Sequence, residues 1–169
     1  GLRQFVGGLA DEGNHHEVHL VSSPLLRCSE TSSAIAAATG APTHLDERWI
    51  ELDYGELDGM AMRDVPAELW GTWRSDPNFT PPGGESLVEL RSRVEVAIED
   101  LVVRAQEALV VVVSHVSPIK AAVAWALDAD DDVVWRLFLH PAGVSRVALS
   151  AAGPSLVTFN EQVLPHRLD

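Results

Sequence analysis

The sequence predicts an α/β fold of three layers, a mostly parallel sheet with helices on both of its faces. Three observations predict it. Short β-branched runs alternate with longer segments of helical period. The most apolar run, Leu109 to Ser114, is continuous rather than alternating, as in a parallel strand covered on both sides. The hairpin signal near the C-terminus, with Ala-Ala-Gly-Pro between two strand-like segments, then closes the pattern.

Taken in order, Gly1 to Ala10 places Leu2, Phe5, Val6 and Leu9 on one helical face. This segment has no preceding cap, as if cut from something longer. After the turn-forming Asp11-Glu12-Gly13-Asn14, Val18 to Ser22 reads as a short strand. Ser22-Ser23-Pro24 ends it, and Leu25 to Thr39 reads as a helix closed by Gly40 at the position that favours a left-handed backbone. Thr43 to Leu45 fits a further short strand. From Ile50 to Asn78 the pattern is irregular, with one helix near Val65 to Trp73.

Thr80-Pro-Pro-Gly-Gly-Glu85 is a loop by composition. Ser86 and Glu89 then form a capping box, and the helix runs to about Arg104 with Leu87, Leu90, Val94, Ile98 and Leu101 on one face. After the strand Leu109 to Ser114, Pro118 is expected to open a helix that ends near Leu127. Asp131 to Leu137 predicts another. Val144 to Ser150 and Ser155 to Asn160 predict an antiparallel hairpin at the sheet edge. No repeat or linker divides the chain, so residues 1–169 are expected to form one domain.

Bulk properties narrow the partners. Twenty-five acids against 12 bases leave a formal charge of −13, which repels nucleic acid and anionic lipid. No apolar run approaches the roughly 18 residues of a membrane span. Gly1 opens on polar, helix-like sequence rather than a leader, and the single Cys28 rules out an internal disulfide. A cytoplasmic setting is the expectation. A small phosphate ligand stays open, because a local cluster of Arg, His and backbone N–H groups holds phosphate even in an acidic protein.

In open α/β sheets, ligands bind beyond the carboxyl ends of the strands. Two segments there carry unusual residues, Val21 to Arg27 and Val113 to Pro118. His115 ends the most apolar strand just before a helix start, where free N–H groups suit an anion and imidazole exchanges protons near neutral pH. It reads equally as a structural cap of the turn that follows. Arg27 lies in the first turn after a strand end and has the geometry for a bidentate phosphate clamp, although a surface role accounts for it as well. Glu51 sits beside Trp49 and Ile50, and apolar surroundings raise a carboxyl pKa toward that of a proton donor; a solvated loop carboxylate is the alternative. Trp70, Trp73 and Phe79 line either a site mouth or the core. Asn14-His15-His16-Glu17-Val18-His19 lacks the His-Glu-x-x-His spacing of a helical zinc site. Cys28 has no arginine at the distance of a phosphate-cradling cysteine loop and reads as a small core residue.

Four segments in one order resemble the histidine phosphatase superfamily, which includes phosphoglycerate mutase-like and α-ribazole phosphatase-like enzymes. They are Ser-Ser-Pro-Leu-Leu-Arg-Cys-Ser-Glu-Thr, Glu-Leu-Asp-Tyr-Gly-Glu-Leu-Asp-Gly, Pro-Pro-Gly-Gly-Glu-Ser and Val-Val-Ser-His. The resemblance implies catalytic roles for Glu51 and His115, and substrate binding by Arg27 and Val116. It implies a phosphomonoester hydrolase acting through phosphohistidine, with no metal or organic cofactor and a small phosphorylated metabolite or phosphate ion as partner. One departure stands out. The family's opening strand ends in Arg-His-Gly, which carries the nucleophile, and that motif is absent from these 169 residues. Gly1-Leu-Arg-Gln resembles the helix that follows it, so the expectation is that a central strand and the nucleophile lie upstream. A second departure is Val116-Ser117-Pro118 where many relatives carry glycines. A mutase is less favoured, because Gly59 to Pro81 is short for the lid such enzymes carry. The rival reading is a catalytically inactive phosphate-binding or scaffold domain of the same fold. An unpaired sheet edge would also suit a homodimer.

Overall fold

The computed structural model describes residues 17–162, the side chain of Met62 excepted. The expected helix Gly1 to Ala10, the turn after it and His15-His16 lie outside the described residues.

Three parallel strands form the central sheet: β1 (Glu17–Ser22), β2 (Thr43–Leu45) and β3 (Ala108–Val113), in the order β2-β1-β3. Leu20 pairs with Val111 and with Thr43, and Ser22 pairs with Val113 and with Leu45. All three strands therefore end on one level. Side chains alternate across the sheet. On one face Leu20 meets Ile35 of helix α1 (Leu26–Thr39), with Val18, Val111 and Val113 packed around them. On the other, Val21 joins a larger core with Leu90, Val94 and Ala97 of α3 (Leu87–Arg104) and Ala121 of α4 (Val116–Ala126). Helices thus cover both faces, as the alternation of strand and helix patterns predicts.

Local chemistry accounts for the ends of these elements. Gly40 closes α1 at φ 76°, a left-handed conformation that costs glycine nothing. The expected capping box starts α3: Ser86 Oγ accepts the Glu89 N–H, and Glu89 accepts the Ser86 N–H. Helix α4 begins two residues before Pro118 rather than at it. Pro118 still sits within the first turn, where a missing N–H loses no helical bond, and the first α-type bond runs from Ile119 N–H to the His115 carbonyl.

Three expectations shift. The helix near Val65 to Trp73 is α2, Ala67–Ser75, because Pro66 supplies the residue before its first turn. Asp131 to Leu137 forms a 3-10 turn over Asp131–Trp135 instead of an α-helix. The hairpin of β4 (Gly143–Ser150) and β5 (Gly153–Gln162) is a two-stranded sheet of its own; among the described residues no ladder joins it to β3. Register shifts between Val144 and Val147 increase the ribbon's twist, which works against continuing a flat ladder. In the described residues the outer edge of β3 therefore has no strand partner, although its six residues are all half-buried.

The described helices include none long and apolar enough to cross a membrane. The tryptophans settle into the core. Trp73 is 3% exposed and lies 5.8–6.1 Å from the rings of Tyr54, Trp70, Phe79 and Trp135. This aromatic cluster ties α2 to the loop that follows Glu51 and to the 3-10 turn at Asp131–Trp135.

Candidate active site

Because the strands end level, the residues just past β1 and β3 meet. Ser23 N–H donates to the Val113 carbonyl at 2.9 Å, extending the β1–β3 ladder by one bond. His115 follows β3 by two residues and serves as the N-cap of α4, with its ring turned inward and only 6% exposed. Three neighbours from the β1–α1 junction surround that ring. Arg27 Nε donates to His115 Nδ1 at 2.9 Å. Ser23 Oγ lies 2.8 Å from Nε2. Cys28 Sγ lies 3.4 Å from Nε2 and donates to the Ser114 carbonyl at 3.4 Å.

Arginine is a donor only, so Nδ1 must accept, and the ring proton of the neutral imidazole resides on Nε2. Burial, first, and the Arg27 charge, second, hold the His115 pKa below its ordinary value; Glu51 acts in the opposite direction. Arg27 itself is exposed, and among the described residues its hydrogen bond runs through Nε alone. Its two terminal NH2 groups remain available to an anion at the mouth of the site. Cys28 is buried, and burial pushes its thiol pKa up, which makes it a poor nucleophile.

Glu51 arrives from a different direction. Its Oε1 accepts the Leu52 N–H at 2.8 Å and the Ser117 N–H at 3.1 Å. The second bond fastens it to the first turn of α4, two residues after His115. The apolar pocket expected from Trp49 and Ile50 is thus only half the environment, since the carboxylate also faces backbone donors. Arg93 steadies the loop from behind. It makes a two-pronged ion pair with Glu85 (2.6 and 2.8 Å) while donating to the carbonyls of Arg48 and Glu51. The same loop packs tightly against Pro82 to Gly84. A Cβ on Gly55, at φ 54°, would collide with the Pro82 carbonyl, so glycine is required there.

Val116 is the first residue of α4 and is exposed, and its N–H belongs to the helical turn that lacks internal acceptors. Arg27, His115, Glu51 and Val116 therefore gather at one end of the sheet. Sequence reasoning missed four neighbours: Ser23, Ser117, Tyr54, whose hydroxyl is 3.4 Å from Ser117 Oγ, and Arg93. Ser23 had a signal, a small polar residue at the end of a buried strand. Arg93 had none, because nothing local marks which surface of α3 meets the Glu51 loop. His19 and His44 stack at 4.9 Å on neighbouring strands, and among the described residues no three His, Cys, Asp or Glu side chains cluster as metal ligands.

A guanidinium, an imidazole, a helix start and a carboxylate thus meet at one end of the sheet, groups whose chemistry suits an anion and the movement of a proton. Known proteins share both sequence and fold with it. The family model described as histidine phosphatase superfamily (branch 1) matches residues 3–162. The bifunctional protein Rv2228c of Mycobacterium tuberculosis is 36% identical over 168 residues, which is 96% of this chain but 46% of that protein. The chain thus spans about half the length of that relative. Phosphoserine phosphatase 1 of Hydrogenobacter thermophilus is 33% identical over 157 residues, 90% of this chain and 74% of that enzyme. The structure of mycobacterial glucosyl-3-phosphoglycerate phosphatase in complex with inorganic phosphate superposes with a TM-score of 0.75 at 24% identity, covering 94% of this chain and 84% of its own. The family match runs through both strand-end segments and nearly the whole chain, and on that ground the chain belongs to the histidine phosphatase superfamily.

Proposed function

We propose that this chain carries the larger part of a phosphomonoester hydrolase that works through a phosphohistidine intermediate. The attacking histidine of this reading belongs to sequence outside these 169 residues, which contain no Arg-His-Gly. The observation that carries the proposal is the Arg27 Nε to His115 Nδ1 bond of 2.9 Å at the level ends of β1 and β3.

In the first step a histidine nitrogen forms a bond to phosphorus and the ester P–O bond breaks. Arg27 and the N–H of Val116 hold the non-bridging oxygens, on which charge concentrates, and His115 joins them once Nδ1 is released from Arg27 Nε and takes up a proton. Glu51 gives a proton to the departing alcohol. In the second step Glu51 takes a proton from water, the water oxygen bonds to phosphorus, and the P–N bond breaks to release orthophosphate. Neither step calls on a metal. A small phosphorylated metabolite is the substrate class, and a reducing cytoplasmic setting suits the free thiol of Cys28.

The relatives support this reading by what they are: one is a phosphoserine phosphatase, and another binds inorganic phosphate. The test is rapid quenching of the full-length gene product during turnover of a labelled phosphomonoester. A phosphoenzyme stable to base and labile to acid is expected, and His115→Ala should abolish most turnover. A His115→Ala enzyme with full activity contradicts the scheme. The rival reading is an anion-binding domain without turnover; a full-length product that binds phosphate but forms no phosphoenzyme would select it.

A further inference from the structure

We propose that Ser23 is a positioning residue for His115, holding the imidazole in the tautomer that carries its hydrogen on Nε2. The role in turnover rests on the reading of His115 given above; the role in fixing the ring does not.

Ser23 is itself held in place. Its backbone N–H is bonded to the Val113 carbonyl, and Pro24 restricts the chain immediately after it. Ser23 is fully buried, at 0% exposure, so its hydroxyl has no solvent to turn toward. Oγ accepts the Leu25 N–H at 3.3 Å and lies 2.8 Å from His115 Nε2. The sheet therefore fixes Ser23, and Ser23 in turn meets the ring.

The opposite nitrogen decides the direction of that contact. Arg27 Nε–H points at Nδ1 from 2.9 Å. A hydrogen on Nδ1 would set two donors against each other, so Nε2 carries it and Ser23 Oγ accepts. Histidine tautomers are set in this way, by the partner of the far nitrogen. With both nitrogens occupied the ring can neither flip nor change tautomer without breaking a bond. Loss of the Ser23 acceptor would leave the buried Nε2–H only the weak sulfur acceptor of Cys28, 3.4 Å away. The bland alternative is that Ser23 merely stabilises the turn through its bond with Leu25, which would leave the state of the ring unaffected.

The test is nitrogen-15 NMR of the histidine-labelled full-length protein near pH 7.5, with inorganic phosphate as the probe ligand. In the unmodified protein His115 should show a protonated Nε2 and an unprotonated Nδ1, with one set of ring signals. Ser23→Ala should lose the slowly exchanging Nε2–H signal and bind phosphate about tenfold more weakly, the scale of one buried hydrogen bond. Ser23→Thr, which keeps the oxygen, should restore both. A hydrogen on Nδ1 in the unmodified protein overturns the proposal, and that spectrum needs no variant to fold. Unchanged ring signals and unchanged phosphate affinity in Ser23→Ala overturn it as well. If the unmodified protein shows the expected tautomer but binds no phosphate, the phosphatase reading fails while the role of Ser23 on the ring stands.

Discussion

Glu51 and Ser117 are joined across 66 residues of sequence by a hydrogen bond of 3.1 Å from the Ser117 N–H to Glu51 Oε1. The carboxylate thereby satisfies one of the N–H groups left free at the start of α4, in the manner of an N-cap that comes from a distant loop. Position and chemistry are separable by substitution. Glu51→Gln keeps an accepting oxygen and should fold with little change in unfolding midpoint, while turnover of the full-length enzyme should drop by about 10²–10⁴. Glu51→Ala removes the cap too and should lower stability by about 1 kcal/mol, read by urea unfolding. Equal activity in Glu51→Gln and the unmodified enzyme would remove Glu51 from proton transfer.

Arg27 bears on His115 through charge as well as through the Nε bond. Its guanidinium is the second cause, after burial, of the low His115 pKa. Arg27→Ala should therefore raise that pKa toward its ordinary value, seen as an upward shift of the His115 titration in NMR. The fold should barely change, because Arg27 is exposed. A downward shift would mean that the 2.9 Å contact with Nδ1 does not persist in solution.

The same lowered pKa fixes a sign for stability and for binding. A group held neutral when folded takes up its proton more readily when unfolded, so the unfolded state binds more protons as pH falls below about 6.5. The contribution of His115 is present above that pH and is lost as pH falls through the window down to its folded pKa. A bound dianion reverses the preference by favouring imidazolium. Sulfate, whose own charge is constant in this range, should bind more tightly as pH drops from about 8 to about 6, with proton uptake measurable by calorimetry in two buffers. Tighter binding at high pH would exclude His115 from the anion site.

Trp73 anchors the aromatic cluster behind the Glu51 loop. Trp73→Ala should cost about 3–5 kcal/mol, the range for emptying a buried aromatic site. Trp70→Ala, at a half-buried position, should cost less. The comparison is read from denaturant midpoints. A smaller loss at Trp73 than at Trp70 would place the centre of the cluster elsewhere.

Much of this was legible in the sequence because it is local. The valine run of β3, the Ser86–Glu89 capping box and the Gly40 stop each depend on neighbours within a few residues, and each forms where local chemistry places it. Arg27 and His115 stood out because they follow strand ends, and Glu51 because Trp49 and Ile50 precede it. Less was legible where long-range packing decides. The start of α4 moved because His115, not Ser117, takes the cap position. The hairpin separated from the parallel sheet through irregular pairing that no composition signals. Trp70, Trp73 and Phe79 could not be assigned to mouth or core, since aromatic residues suit both; Trp73 is buried in the core, and Trp70 and Phe79 pack half-buried against it.

The central claim is that Arg27 and His115 together form an anion site at the ends of β1 and β3. It is tested most directly by titrating the full-length protein with inorganic phosphate, followed by calorimetry, beside Arg27→Ala and His115→Ala. Binding to the unmodified protein should weaken by at least about tenfold in each variant, as for loss of a charge-assisted or buried hydrogen bond. Equal binding by all three proteins, or none to the unmodified protein at millimolar phosphate, would contradict the account.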